Sequence, residues 1–285
     1  GVAEQNMAGI AAGLAISGKI PFISSYATFS PGKNWETIRT TIIYNDANVK
    51  IAGHHSGIVT GPDGATHQAV EDIAIMRCLP NIKIISPCDI IEAKKATLYS
   101  AEIYSPFYLR FVRDKTPVIT TEETPFRFGK IEYFWLPTIN ADITKMNTNE
   151  DNKFRAAIFA SGHLVYQALL AAKELEKEGI ETYVLNVHTI KPLDIETIFK
   201  VVNKVKGVVT VEDHQVIGGI GSAISETLMN GDLRKKYLLE NIIPPVIFIG
   251  LQDTFAESGN MYDLLKKYKM DKEAIKEAVR RLIEL

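Results

Sequence analysis

The sequence predicts an α/β protein of two consecutive domains, each with a mainly parallel sheet flanked by helices. Three observations predict it. The chain has 285 residues, enough for two separate cores, and 46% are hydrophobic against 23% charged, a balance that favours folding over disorder. Short apolar runs alternate with longer helix-like segments in two blocks, residues 1–125 and 154–285. Such alternation implies parallel strands covered on both faces. Between the blocks, residues 126–153 break the pattern.

The first block opens on Gly1-Val2-Ala3-Glu4-Gln5-Asn6-Met7 and a helix of small and aliphatic residues. Gly18 stops that helix and Pro21 follows. Its many Ala and Gly residues let another helix come close. Pro21 to Tyr26 reads as a buried strand that breaks into a loop through Gly32, and Trp35 to Tyr44 as helical. Val49 to Ala52 is a short strand, followed by a long polar loop from Gly53 to Gln68. Ala69 to Cys78 is a helix and Lys83 to Ser86 a strand. Pro87 and Asp89 open a helix to about Ala101, and Phe107 to Val112 is a strand with Arg113 at its end. Phe126 to Trp135 alternates like an edge strand or hairpin, and Ile139 to Lys153 reads as a polar loop.

The second block runs strand (Ala156–Ala160), helix (His163–Glu178, stopped by Gly179), strand (Thr182–Val187) and helix (Asp194–Val205). A strand at Val208–Val211, a helix at Ile220–Met229, a strand at Val246–Ile249 and two helices from about Asn260 and Lys272 complete it. Sheets of this kind bind ligands outside the carboxyl ends of their strands. Tyr26, Phe29, His54, His55, Asp63, His67 and Arg113 all follow strands, so they collect on one rim.

Other readings are weaker. A formal net charge of −2 gives no general reason to bind nucleic acid or an anionic membrane, and no apolar run approaches a bilayer span. Cys78 and Cys88 lack metal-ligand spacing and fit the reduced thiols of a cytoplasmic protein. Gly13 to Lys19 nearly spells a P-loop, but Ile20 replaces the required hydroxyl and the glycines end a helix. Gly218-Gly219-Ile220-Gly221 lacks the third glycine of a dinucleotide loop, so it reads as close packing of a helix start on a sheet. His214 reads as a hydrogen-bonding loop residue. His54, His55, His67 and Asp63 match no zinc spacing, and suit contacts to a hydroxylated or phosphorylated substrate better.

Taken together, these residues resemble the C-terminal half of transketolase. The first seven residues are similar to that family's glutamate motif. Asp63-Gly64-Ala65-Thr66-His67-Gln68, followed by Glu71-Asp72 and Arg77 to Asn81, resembles its most specific signature. Asn186 to Asp194 and Val211-Glu212-Asp213-His214 resemble its C-terminal domain. The resemblance implies a pyrimidine-binding domain of a thiamine diphosphate enzyme at 1–125, a linker or insertion at 126–153 and a transketolase C-terminal domain at 154–285. The family's diphosphate-binding domain carries a magnesium-binding Gly-Asp-Gly motif that is not found in this sequence. The implied arrangement is therefore half of a split transketolase. Its partner would be an N-terminal subunit holding magnesium and the diphosphate, around a homodimer of this chain within a heterotetramer. The family has further sequence before the glutamate.

The resemblance also implies roles. Glu4 would hydrogen-bond the aminopyrimidine ring nitrogen of thiamine diphosphate, with its pKa raised by the apolar helix around it. Tyr26 and Phe29 would line the pyrimidine pocket. A third aromatic of the family falls near Gly32-Lys33-Asn34, where this chain departs, and Trp35 is the candidate replacement. His67 would lie beside the reacting carbons. Asp63 would contact a substrate hydroxyl, and His55 and Arg113 the sugar phosphate. The competing readings are a subunit of a deoxyxylulose-phosphate synthase or a 2-oxoacid dehydrogenase, or a non-catalytic assembly subunit. Val70-Glu71-Asp72 disfavours the first, Asp63 to Gln68 the second, and the intact polar residues the third.

Overall fold

The computed structural model describes residues 1–137, 155–237 and 242–285. In chain order the first half contains α1 (Glu4–Ile16), β1 (Phe22–Tyr26), α2 (Trp35–Thr37), β2 (Lys50–His54), α3 (Asp72–Arg77), β3 (Lys83–Ile85), α4 (Ile90–Glu102) and β4 (Phe107–Arg110). β5 (Glu132–Trp135) follows, and Ile139 to Lys153, read as a loop above, lies outside the described residues. The second half contains β6 (Arg155–Ala160), α5 (Leu164–Lys177), β7 (Glu181–Asn186), β8 (Thr189–Lys191), α6 (Ile195–Val202) and β9 (Gly207–Gln215). It ends with α7 (Ile220–Met229), α8 (Gly231–Tyr237), β10 (Val246–Leu251), α9 (Met261–Lys267) and α10 (Lys272–Glu284).

The strands form two five-stranded sheets, ordered β1-β2-β4-β3-β8 and β10-β9-β6-β7-β5. β1, β2, β4 and β3 run parallel, as do β10, β9, β6 and β7. Each sheet has one antiparallel edge, β8 on β3 and β5 on β7. β8 comes from the second half of the chain yet completes the first sheet, a pairing the sequence did not reveal. Local capping explains the helix starts that were legible. Asp89 accepts from Glu92 N–H at 2.9 Å, and Asp194 and Asp271 cap α6 and α10 in the same way.

Four sequence expectations need correction. The helix foreseen from Ala69 begins only at Asp72, because Ala69 forms a bridge with Ser56 and Val70 a bend. Ala69 and Val70 bond Gly57 N–H at 2.7 Å and Gln215 N–H at 2.8 Å through their carbonyls. The strand foreseen to end at Val211 runs on to Gln215. His214 is therefore a fully buried strand residue, and its Nε2 accepts from Ala74 N–H at 3.3 Å. Of the small residues of α1, the alanines turn inward and the glycines outward. Ala8, Ala11, Ala12 and Ala15 form one helical stripe sunk in the first domain's own core with Ile42 and Ile51. Its open side carries Gly9, Gly13, Ile10 and Leu14. Trp35 is no substitute aromatic for the site: it packs on that same core, and its indole donates to Ile75 O at 2.7 Å.

The glycine run before α7 packs as expected. A Cβ on Gly219 would stand 1.8 Å from Glu212 Oε2, and the Glu212 carboxylate accepts from Ile220 and Gly221 N–H at the helix start. Among the described residues, two apolar clusters cross between the halves: Ile190 and Ile220 of the second half join the core under α1, and a larger cluster joins the halves elsewhere. Ile58, Val59 and Val70 of the first half lie in the larger one with Val165, Val211 and Leu264 of the second.

Candidate active site

The carboxyl ends of β1, β2 and β4 lie side by side, and the segments after them meet there. Tyr26 ends β1 and Phe29 follows it, and their rings stack with centroids 6.0 Å apart. His54, the last residue of β2, meets the edge of Tyr26 at 5.1 Å, and just beyond the strand the His55 ring stacks on Tyr26 at 3.9 Å. His67 packs edge-on against both aromatics, 5.9 Å from Tyr26 and 5.5 Å from Phe29. Thus five rings that the sequence spreads over more than forty positions form one wall.

The histidines are held in defined states. His54 Nδ1 and His55 Nδ1 are 2.8 Å apart, so one carries the hydrogen and the other accepts it. Burial pushes the pKa of each below the ordinary histidine value; His55 adds to the effect on His54, and Arg113 to that on His55. His67 Nδ1 bonds Thr66 Oγ1 at 2.9 Å. Both His55 and His67 therefore engage Nδ1 within the chain, and among the described residues neither Nε2 makes a hydrogen bond.

The loop that carries these groups is compact. His55 adopts φ 57°, in the left-handed region, and its carbonyl accepts from buried Thr60 Oγ1 at 2.6 Å. A short 3₁₀ segment, Ile58–Asp63, then brings Asp63 back to the exposed rim. Asp63 lies close enough to counter the effect of Arg113 on His55. Arg113, just beyond β4, reaches Thr60 O through Nη1 at 3.3 Å.

Glu4 stands apart from the ring wall. Its side chain is 13% exposed and pairs with Lys33 Nζ at 3.1 Å. Asn34, fully buried, donates to Glu4 O at 3.0 Å. The aromatic loop is thereby tied to the start of α1. The expectation of a raised Glu4 pKa is not met within this chain. A hydrogen bond from its own backbone, then Lys33, holds the carboxyl below its usual range. The physical reason is direction: the alanines of α1 face the core, and the carboxyl faces a lysine. Sequence reasoning missed Lys33 and Asn34, although both sit where the chain departs from the family pattern.

Comparison with known proteins fits this architecture. Residues 1–118 match the transketolase pyrimidine binding domain, and residues 145–275 match the transketolase C-terminal domain. A provisionally named transketolase C-terminal section of Methanocaldococcus jannaschii is 41% identical over 278 residues, covering 96% of this chain and 79% of that protein. A 6-deoxy-6-sulfo-D-fructose transketolase subunit of Clostridium sp. is 35% identical, covering 100% and 80%. A solved structure described as a split gene transketolase, inactive beta4 tetramer, superposes with a TM-score of 0.81 at 35% identity, covering 99% of this chain and 82% of that one. The ring wall, the two sheets and both domain matches lead to one conclusion: the chain belongs to the transketolase family.

Proposed function

We propose that this chain is the C-terminal subunit of a split transketolase. It would transfer a two-carbon ketol unit from a ketose phosphate to an aldose phosphate once an N-terminal subunit supplies the diphosphate-binding domain and magnesium. The observation that carries the reading is the wall of Tyr26, Phe29, His54, His55 and His67 beside Arg113, at the carboxyl ends of parallel strands. Family membership implies use of thiamine diphosphate, and the residues present fit its pyrimidine half. Two stacked aromatic faces lie in a loop that Asn34 ties to the start of α1, and in that loop the buried Thr28 Oγ1 has no partner among the described residues.

When bound, thiamine diphosphate supplies the carbanion that attacks and cleaves beside a carbonyl. The chain's own residues position and protonate. Glu4 would hold a proton against the pyrimidine ring nitrogen, which requires that a covering subunit and the ligand shield it from water and from Lys33. His67 and His55 would offer Nε2 to substrate oxygens. Asp63 would accept from a sugar hydroxyl. Arg113 has only Nη1 engaged among the described residues, so its fork can meet a phosphate. One relative is named for 6-deoxy-6-sulfo-D-fructose and another for apulose-4-phosphate, so family membership alone does not name the sugar.

The neighbour described as an inactive β4 tetramer supports a subunit that self-associates and lacks activity alone. Exposed Ile10, Leu14 and Phe22 supply an apolar face for a homodimer within a heterotetramer. The test is reconstitution. The purified chain should bind thiamine diphosphate and magnesium weakly by calorimetry and transfer no ketol group. Adding a partner chain with a Gly-Asp-Gly motif should restore transfer. Micromolar cofactor binding with turnover by the isolated chain would overturn the reading.

A further inference from the structure

The loop that carries His55, Asp63 and His67 belongs to the first domain, yet it rests on the second. Ile58 and Val59 are fully buried, in a cluster made mostly of second-domain side chains. At the loop's far end, Gln68 Nε2 donates to Glu257 O at 3.1 Å, and Gly259 N–H to Gly61 O at 3.4 Å. These contacts are apolar or neutral. Among the described residues, the one charged contact from the second domain is at the loop's start. Asp213, at the carboxyl end of β9 and 2% exposed, accepts Ile58 N–H at 2.9 Å through Oδ1. Its Oδ2 receives His163 Nε2 at 3.1 Å and a longer contact from Val59 N–H at 3.5 Å. The Asp213 carbonyl accepts from Arg110 Nη2 at 2.8 Å, which fixes its backbone from the first domain.

The approach is too close for any side chain on Gly57. Gly57 has φ 77°, and a Cβ there would stand 2.1 Å from Asp213 Oδ2. The loop is also braced to move as a unit. Thr60 Oγ1 holds the His55 carbonyl, and the Thr60 carbonyl holds Arg113. A displacement at Ile58 therefore reaches both groups assigned to the sugar phosphate.

We propose that Asp213 is a positioning residue for the substrate loop, and that the second domain serves catalysis by supplying it. This rests on reading the loop as the sugar-binding site. A carboxylate accepting backbone N–H groups makes a charge-assisted bond, stronger than its neutral counterpart. Without it the Ile58 N–H is buried and unpaired, and the loop relaxes to satisfy it. A shift of about 1 Å in a positioned group can cost on the order of a hundredfold in rate. Burial opposes ionisation of Asp213, yet the His163 hydrogen bond and charge hold its pKa below the usual range, so the anchor stays charged at neutral pH.

The test compares Asp213→Ala with Asp213→Asn, which keeps an acceptor for Ile58 N–H. Each full-length variant is assembled with the partner chain and cofactor, and kcat and KM are measured for a phosphorylated ketose. In parallel, the His55 ring is titrated by NMR in the chain without partner. The alanine variant should raise KM at least about tenfold and lower kcat, and His55 should titrate closer to the ordinary histidine value. The asparagine variant should stay within about threefold of wild type in KM. If the alanine variant fails to fold, Asp213→Ser, too short to reach Ile58 N–H, takes its place. Wild-type kinetics and wild-type His55 titration in a folded Ala or Ser variant would overturn the proposal. So would equal impairment of Ala and Asn with equal loss of melting temperature, which marks a purely structural role. If the wild-type assembly transfers no ketol group, the proposed function fails, and the His55 titration still decides this inference.

Discussion

Removing the carboxylate of Asp72 should unfold this protein more readily than any surface change. Asp72 and Arg110 are 1% and 5% exposed. Arg110 Nε donates to Asp72 Oδ2 at 2.7 Å and Nη2 to Oδ1 at 3.1 Å, a two-point pair. Tyr108 OH adds a third bond to Oδ2 at 2.6 Å. In Asp72→Ala the guanidinium keeps, among the described residues, only the Asp213 carbonyl at 2.8 Å. Breaking a buried pair from one side costs about 3–5 kcal/mol. The Tyr108 hydroxyl loses its bond to Asp72, which adds at most about 1–3 kcal/mol. Together these approach the whole stability of an ordinary domain, about 5–15 kcal/mol. The melting temperature should fall on the order of 10 °C or more. The charge, not the lost contact, is the cause, so Asp72→Ala/Arg110→Met should recover at least about 2 kcal/mol of the loss. The assay is urea unfolding of all three proteins, followed by both circular dichroism and tryptophan fluorescence so that a two-state fit can be checked. A single mutant within about 1 kcal/mol of wild type, or a double mutant no more stable than the single, would refute the reasoning.

Three further outcomes follow from the site and the domain seam. Glu4→Gln should leave the melting temperature unchanged, because its contact with Lys33 is at the surface, and should nearly abolish ketol transfer in the assembled enzyme; near-wild-type turnover would sink its proposed role. Arg113→Ala should lower kcat/KM for phosphorylated sugars far more than for unphosphorylated ones, and equal losses would show that it does not read the phosphate. Glu92, 3% exposed, accepts Cys88 N–H and Asn186 Nδ2, each at 2.7 Å, and burial pushes its pKa from 4.5 up to about 7. Its folded pKa lies above the unfolded value, so the folded state binds the proton more tightly and this group's contribution falls as pH rises from about 4.5 to about 7. Glu92→Gln cannot ionise and should lose less stability across that window; parallel urea midpoints for the two proteins would count against the assignment.

Much of the fold was legible because its signals are local. Asp89 and Asp194 read as helix starts since a cap bonds an N–H three residues ahead. Gly18 and Gly179 read as stops, and both have positive φ. The gathering of Tyr26, Phe29 and the histidines was also foreseeable, because parallel strands place everything beyond their carboxyl ends on one rim. What the chain's order does not encode is who faces whom. Asp213 and Ile58 are 155 positions apart, and no spacing joins them. β8 pairs with a strand about a hundred residues earlier, and nothing in Thr189-Ile190-Lys191 names that neighbour. The alanine stripe of α1 announced close packing, but only the tertiary structure turned it inward and left Glu4 facing Lys33. The physical reason is range. Periodicity and caps act over a few residues and survive in sequence, whereas burial, charge pairing and proton affinity depend on side chains brought close in space by the folding of the whole chain.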